Sequence, residues 1–455
     1  MPFLLDVLYV ALVVASAPVL LLRSWRSGKY RDGWRQKLLG KAPRRISDRP
    51  CLWFHAVSVG EVQLLRPLIA ILARRRPDWD VVISTTTVSG LAVARRRFPD
   101  LVTFYAPLDF SWSVRRALAR VRPTALVLVE LELWPNLIRA AKDSGAAVTI
   151  INGRLSDRSH AGYRRIARLL RPTLQRLDAV AAQSKTSADR FIDLGVPARR
   201  VQVTGSVKYD GLEQDRQNPR TLALRRELAL DPADIVFVAG STMEGEESAA
   251  LEAYQLARRH HPRLRLVIVP RHAERFERVA SWLEQRGEQV LRRSIGSPPP
   301  NAPNAAPPIV LVDTIGELSA VWGLADLAFV GGSLFPGRGG QNMMEPAAYG
   351  ASVLFGPYTS NFREAVEGLL DRGGARRVND ARDLTAALLA DLADPETADA
   401  RADAGRAFVL TQNGAADRTV ALLDRLIEQR RRSEVGGTLR SSSIREATVP
   451  TSIGS

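Results

Sequence analysis

From residue 50 onward, short apolar runs alternate with longer amphipathic ones, and this alternation constrains the fold more than any other feature. Residues 51–57 (CLWFHAV), 80–84, 125–129 (ALVLV), 147–151, 179–182 and 201–204 are too short for helices and are mostly apolar. They read as strands buried on both sides. Helical stretches fill the intervals at 62–75, 89–96, 111–120, 137–142 and 187–194. Strands joined by helical crossovers build a parallel sheet with helices on both faces. The pattern pauses over the polar stretch 209–222 and restarts, with strands at 235–240, 264–269, 289–291, 309–312, 327–330 and 352–355 and helices such as 247–259 and 276–285. A single core rarely grows past roughly 250–300 residues, so a chain of 455 residues with two such patterns is expected to form two doubly wound α/β domains facing a cleft.

The first twenty-odd residues do not fit that pattern. Residues 3–22 (FLLDVLYVALVVASAPVLLL) contain one charge, Asp6, and at about 1.5 Å per residue a helix of this length just spans a hydrocarbon core. A cleaved signal peptide needs positive charge before the apolar run, and none is present. A buried core helix would not explain the nine Lys/Arg between residues 23 and 45. An uncleaved anchor explains both, because Lys and Arg stay on the cytoplasmic side. The expected division is therefore an anchor at 1–22, a first domain at 23–210, a second at 211–432 and a disordered tail at 433–455.

The net charge of +16 invites a nucleic-acid reading until its location is considered. Residues 1–45 hold +7 and residues 430–455 hold +3, leaving +6 on everything between. A juxtamembrane collar of this kind attracts anionic lipid headgroups, whereas a nucleic-acid binder concentrates its basic residues on the folded body. The single cysteine, Cys51, excludes an internal disulfide, and five histidines argue against a histidine-rich metal cage. The run 296–308 (GSPPPNAPNAAPP) reads as an exposed loop.

Candidate chemistry clusters where strands end, which is where ligands of such sheets bind. In the segment 55–62 (HAVSVGEV) a strand gives way to a helix that opens near Glu61, a carboxylate that could serve as a base or simply as a partner of the helix dipole. His55 lies inside the strand and reads as a core group. Glu130 and Glu132 follow the strand 125–129 and would share one side if the strand continued. Lys208 sits in GSVKYD (205–210) and is one of only six lysines. In the second half, four polar loops follow strands: GSTMEGEE (240–247), PRH (270–272), DTIGEL (313–318) and GGS (331–333), with GRGGQNMMEP (337–346) beyond them. Such glycines let backbone N–H groups approach a phosphate, and a helix opening near Asn342 would add its positive end. Glu345 could accept hydrogen bonds from ribose hydroxyls. The GxGxxG fingerprint after a first strand is absent, which argues against a dinucleotide dehydrogenase.

Taken in order, HAVSVGE (55–61), ELELWPNLI (130–138), NGRLSDRSHAGY (152–163), TGSVKYD (204–210), the GEES of GSTMEGEES (240–248), PRHAERF (270–276), DTIGEL (313–318), FVGGSL (329–334) and GPYTSNF (356–362) resemble the 3-deoxy-D-manno-octulosonic acid (Kdo) transferases of lipopolysaccharide synthesis. The resemblance covers the chain from the anchor to about residue 415. It implies a GT-B fold of two Rossmann-like domains and an inverting transferase without metal or cofactor. CMP-Kdo would be the donor and a lipid A precursor the acceptor, at the cytoplasmic face of the inner membrane, with no nucleic-acid partner. It implies Glu61 as proton acceptor and Glu130 and Lys208 as transition-state stabilisers. Pro270, Arg271, Ile315, Gly316, Glu317, Asn342, Met343, Met344 and Glu345 are implied as CMP-binding. Gln341 stands where many relatives have histidine, and the loop 335–338 also departs from the family pattern. A GT-B transferase using a UDP-sugar and another lipid-linked acceptor is the alternative.

Overall fold

The computed structural model describes residues 5–7, 9–11, 33–296 and 307–446, with side chains as far as Arg430. Most of the expected anchor (1–22), the start of the basic block, the Pro-rich run 297–306 and the last residues of the tail lie outside the described residues. Among those described, no helix is long and apolar enough to cross a membrane.

The chain divides into two compact units, Met1–Asp210 with Gly414–Ser455, and Gly211–Asn413. The first holds a seven-stranded sheet: β1 (Cys51–His55), β2 (Asp80–Thr85), β3 (Val102–Tyr105), β4 (Ala125–Val129), β5 (Ala147–Gly153), β6 (Ala179–Ala182) and β7 (Val201–Val203). Their spatial order is β3-β2-β1-β4-β5-β6-β7, and all pairs are parallel. The second holds β8 (Ile235–Thr242), β9 (Leu264–Pro270), β10 (Val290–Arg292), β11 (Ile309–Leu311), β12 (Leu327–Val330), β13 (Ser352–Phe355) and β14 (Arg376–Arg377), in the order β10-β11-β9-β8-β12-β13-β14. The strand order reverses between β1 and β4 in the first sheet and between β8 and β12 in the second, where β11 is also inserted between β9 and β10.

The side-chain alternation of β1 shows why both faces must be covered. Leu52 and Phe54 enter one core, with Leu65 and Leu68 of the helix Val59–Arg75, while Cys51 and Trp53 enter the other, with Val114 and Leu118 of the helix Ser111–Val121. Strands with no polar face are therefore what this architecture requires.

The final helix, Ala415–Glu446, departs from expectation. Sequence order assigns its first half to the second domain, but it packs on the first. Ala416, Val420, Leu423 and Ile427 complete the core beneath the helix Val59–Arg75. The Asp210 carboxylate accepts hydrogen bonds from Gly414 N (2.9 Å) and Ala416 N (2.5 Å), capping the helix start. Arg76 pairs with Asp424 (2.9 Å) and Glu428 (2.5 Å). The helix also continues past Arg432, to Glu446.

Part of the apolar amino-terminal run is engaged with the first unit. Residues 5–7 and 9–11 are helical. Asp6, 8% exposed, accepts from Ser111 N (2.9 Å), Ser111 Oγ (2.5 Å) and Asn136 Nδ2 (3.2 Å). The Tyr9 hydroxyl donates to Asp109 (3.2 Å). Asp109 also accepts from Asn136 N and Leu137 N, at the start of the helix Pro135–Asp143. Burial pushes its carboxyl up to about 6 against these donors.

Leu423 tests the placement of the last helix. It is fully buried, so Leu423→Ala should destabilise the first unit by about 2–5 kcal/mol. Urea unfolding followed by a probe in each unit should show the first transition moving and the second unchanged.

Candidate functional site

In the first unit the carboxylates gather at the strand-order reversal. Ser58 caps the helix Val59–Arg75, and Ser58 with Glu61 forms a variant of the capping box in which the carboxylate accepts from the N–H of Val57 rather than that of Ser58. The Ser58 hydroxyl donates to Glu61 Oε1 (2.8 Å), Val57 N donates to Oε2 (2.8 Å), and Glu61 N donates back to Ser58 Oγ (3.3 Å). Glu61 thus fills the structural role that its spacing allowed, and it is also chemically poised. Burial raises its pKa above the ordinary carboxylate range; the two donors oppose this, while Glu132 and Glu130 push the same way as burial.

β4 ends at Val129, and Glu130 takes a left-handed conformation (φ 59°). The strand does not continue, so the expected alternation of Glu130 and Glu132 is replaced by a turn. Glu130 pairs with Lys208 Nζ at 2.9 Å. Lys208 lies on the short 3-10 turn Val207–Tyr209, inside the first unit. Glu132 accepts from Trp134 Nε1 (2.7 Å), and its carboxyl is raised by burial. The structure therefore brings together Glu61, Glu130 and Lys208, the residues expected to carry catalysis. His55 is fully buried and is pushed down to about 4 by burial. Its Nδ1 meets Ser84 Oγ at 2.9 Å, and its ring stands edge-on to Trp134. It is a neutral core group.

In the second unit the loops after β8 and β12 are tied together by a carboxylate. Glu246, fully buried, accepts from Met243 N (2.8 Å), Gly332 N (2.7 Å), Ser333 N (3.0 Å) and Leu334 N (2.9 Å). The N–H groups of Gly332 and Ser333, part of the loop read as open to a phosphate, are thus spent on this side chain. Glu247 is clasped by both terminal nitrogens of Arg275 (2.6 and 2.9 Å) and accepts from Thr242 Oγ1 (2.7 Å). Neither acidic residue carried an assigned role in the sequence; their position just after a strand was the available signal.

The expected CMP-binding residues fall into two groups. Pro270 ends β9, and Arg271, exposed, follows it with its backbone N–H on Thr242 O (3.0 Å). Glu345 lies near enough to feel Arg271. Burial raises its carboxyl, and Asn342 Nδ2 (3.0 Å) and the Arg271 charge oppose that. Met343 and Met344 are fully buried, so neither presents a side chain at the surface. The helix expected to open near Asn342 begins at Met344 and has five residues, with Asn342 ahead of it accepting from Met344 N (3.2 Å). So short a helix has little dipole to offer, which leaves Arg271 as the cation in this group. Ile315, Gly316 and Glu317 instead line a pocket of about 400 Å³ with Asn218, Arg293 and Tyr349. Glu317 is held there by Arg293 (3.1 Å) and the Thr314 hydroxyl.

Comparison with known proteins identifies the family. A family model described as 3-Deoxy-D-manno-octulosonic-acid transferase (kdotransferase) matches residues 32–211. The chain is 34% identical over 426 residues to the 3-deoxy-D-manno-octulosonic acid transferase of Bordetella pertussis, covering 90% of this chain and 96% of that protein. It is 32% identical over 427 residues to the Haemophilus influenzae protein of the same name, covering 92% and 98%. Among solved structures, the UDP-GlcNAc 2-epimerase of Neisseria meningitidis bound to UDP-GlcNAc is similar in fold, with a TM-score of 0.56 at 14% identity over 82% of this chain and 100% of that one. The extent and identity of the sequence matches place this chain in the 3-deoxy-D-manno-octulosonic acid (Kdo) transferase family of glycosyltransferases.

Proposed function

We propose that this protein transfers Kdo from CMP-Kdo to a lipid A precursor in lipopolysaccharide synthesis, with inversion at the anomeric carbon. The observation that carries the catalytic assignment is the Glu61 carboxylate, held by two donors and raised by burial and by two neighbouring carboxylates. A raised pKa makes a stronger base, suited to deprotonating a sugar hydroxyl. In the proposed step Glu61 takes the acceptor hydroxyl proton as its oxygen bonds to the anomeric carbon. The bond from that carbon to the phosphate oxygen breaks, and CMP leaves with the electron pair. Positive charge developing on the ketose favours a nearby carboxylate, the role assigned to Glu130. Lys208, 2.9 Å from Glu130, holds that carboxylate in place and balances the acidic donor.

Arg271, with Pro270, Ile315, Gly316, Glu317 and the 342–345 segment, is assigned to CMP. The reading requires no metal or cofactor. Membrane attachment belongs to the same proposal. Residues 1–22 and the nine basic residues at 23–45 would hold the enzyme at the cytoplasmic face of the inner membrane, where an anionic surface presents the lipid acceptor. Because Asp6 and Tyr9 bond to the first unit, that end of the segment would lie against the protein at the cytoplasmic face rather than cross the bilayer.

Glu61→Gln should abolish transfer while leaving CMP binding intact, measured by product formation and by calorimetric titration with CMP; substantial turnover would remove Glu61 as the base. Arg271→Ala should weaken CMP binding by about 10- to 100-fold, the worth of a charge-assisted hydrogen bond; unchanged affinity would relocate the donor site. Ser58→Ala removes a donor that favours ionised Glu61. The base must be deprotonated to act, so the rising limb of kcat/KM against pH should move to higher pH. A limb that stays in place would show that another group controls it.

A further inference from the structure

We infer that Asn152 is a positioning residue for the reaction, setting the turn that carries Lys208 against Glu130; this rests on the assignment of Lys208 and Glu130 above. Asn152 sits near the end of β5, next to β4, where Glu130 N donates to Ile151 O (2.9 Å). The pairing of β5 with β6 slips between Ile150 and Gly153, a bulge of the kind that re-aims a side chain at a strand end. Asn152 adopts a left-handed conformation there (φ 51°). The re-aimed side chain reaches the lysine turn, and its Oδ1 accepts from the backbone N–H of Val207, the residue before Lys208, at 3.0 Å. Gln183 fixes the bulge from β6, donating Nε2 to Asn152 O (3.0 Å) and its backbone N–H to Gly153 O (3.0 Å).

Two features of this residue work against stability. A left-handed backbone costs any residue with a side chain relative to glycine, though asparagine less than most. Asn152 is also 1% exposed, and its Nδ2 finds no hydrogen-bond partner, although buried donors are nearly always satisfied. Glycine would remove both penalties and keep the bulge. What glycine cannot supply is the acceptor for Val207 N, and that acceptor is what ties β5 to the turn bearing Lys208. The strain is thus localised at the residue that links β4, β5 and the lysine turn.

The test is a double-mutant cycle on the full-length enzyme, with kcat and KM for CMP-Kdo and thermal unfolding measured for Asn152→Gly, Lys208→Ala and the pair. Asn152→Gly should melt close to the parent, because relief of the strain and of the unpaired Nδ2 offsets the Val207 N–H left without an acceptor, lose about 10- to 100-fold in kcat as expected for a displaced group, and keep its KM. The pair should lose no more than Lys208→Ala alone, to within about twofold. Asn152→Asp, which retains an oxygen facing Val207 N, should keep more kcat than Asn152→Gly. Parental kcat in Asn152→Gly, losses that multiply in the pair, or equal losses in the Gly and Asp variants would each overturn the inference. Parental kcat in Lys208→Ala would overturn the site assignment itself, and this inference with it.

Discussion

Every strand of each sheet runs in the same direction, so all of them end on one edge, and at the point of reversed order the connecting helices leave from opposite faces. That geometry leaves an opening at β1/β4 in the first unit and at β8/β12 in the second. Polar groups at these strand ends cannot be satisfied by the sheet ladder. What the chain places there determines whether the opening becomes a structural tie or a reactive site.

The two units resolve this differently. In the second, Glu246 receives four backbone N–H groups and joins the loops after β8 and β12. In the first, Glu61 receives two donors and faces two further carboxylates. Burial raises both acids. Four backbone donors engage both oxygens of Glu246 and make it a structural strut, whereas Glu61, with two donors, has lone pairs left to take a proton. Left-handed residues accompany the strand ends in both units: Glu130 and Asn152 in the first and Ser241 in the second. Ser241, like Asn152, lies at a slip in strand pairing. Such strain persists only where surrounding packing holds it, and the fully buried strands supply that packing.

Legibility in the sequence followed burial. The strands Ala125–Val129, Ala179–Ala182, Leu327–Val330 and Ser352–Phe355 are apolar on both faces, and their runs mark their bounds residue for residue. The edge strand Val102–Tyr105 is half-exposed and Arg376–Arg377 is two polar residues; neither has a local signal to read. The last helix was misplaced because its home is set by contacts far away in sequence, through Asp210 and the core under Val59–Arg75. Glu61, Glu130 and Lys208 stood out as acids or a rare lysine beside strand ends. Glu246 and Asn152 did not, because their roles depend on which backbone N–H groups the fold brings within reach.

The central claim is that this geometry moves a Kdo unit between two defined molecules. Incubating the purified full-length enzyme with CMP-Kdo and a lipid A precursor, and weighing the lipid by mass spectrometry, tests it most directly. The account predicts lipid heavier by one or more Kdo residues, with one CMP released for each. CMP-Kdo left intact, or consumed with the lipid mass unchanged, would contradict it.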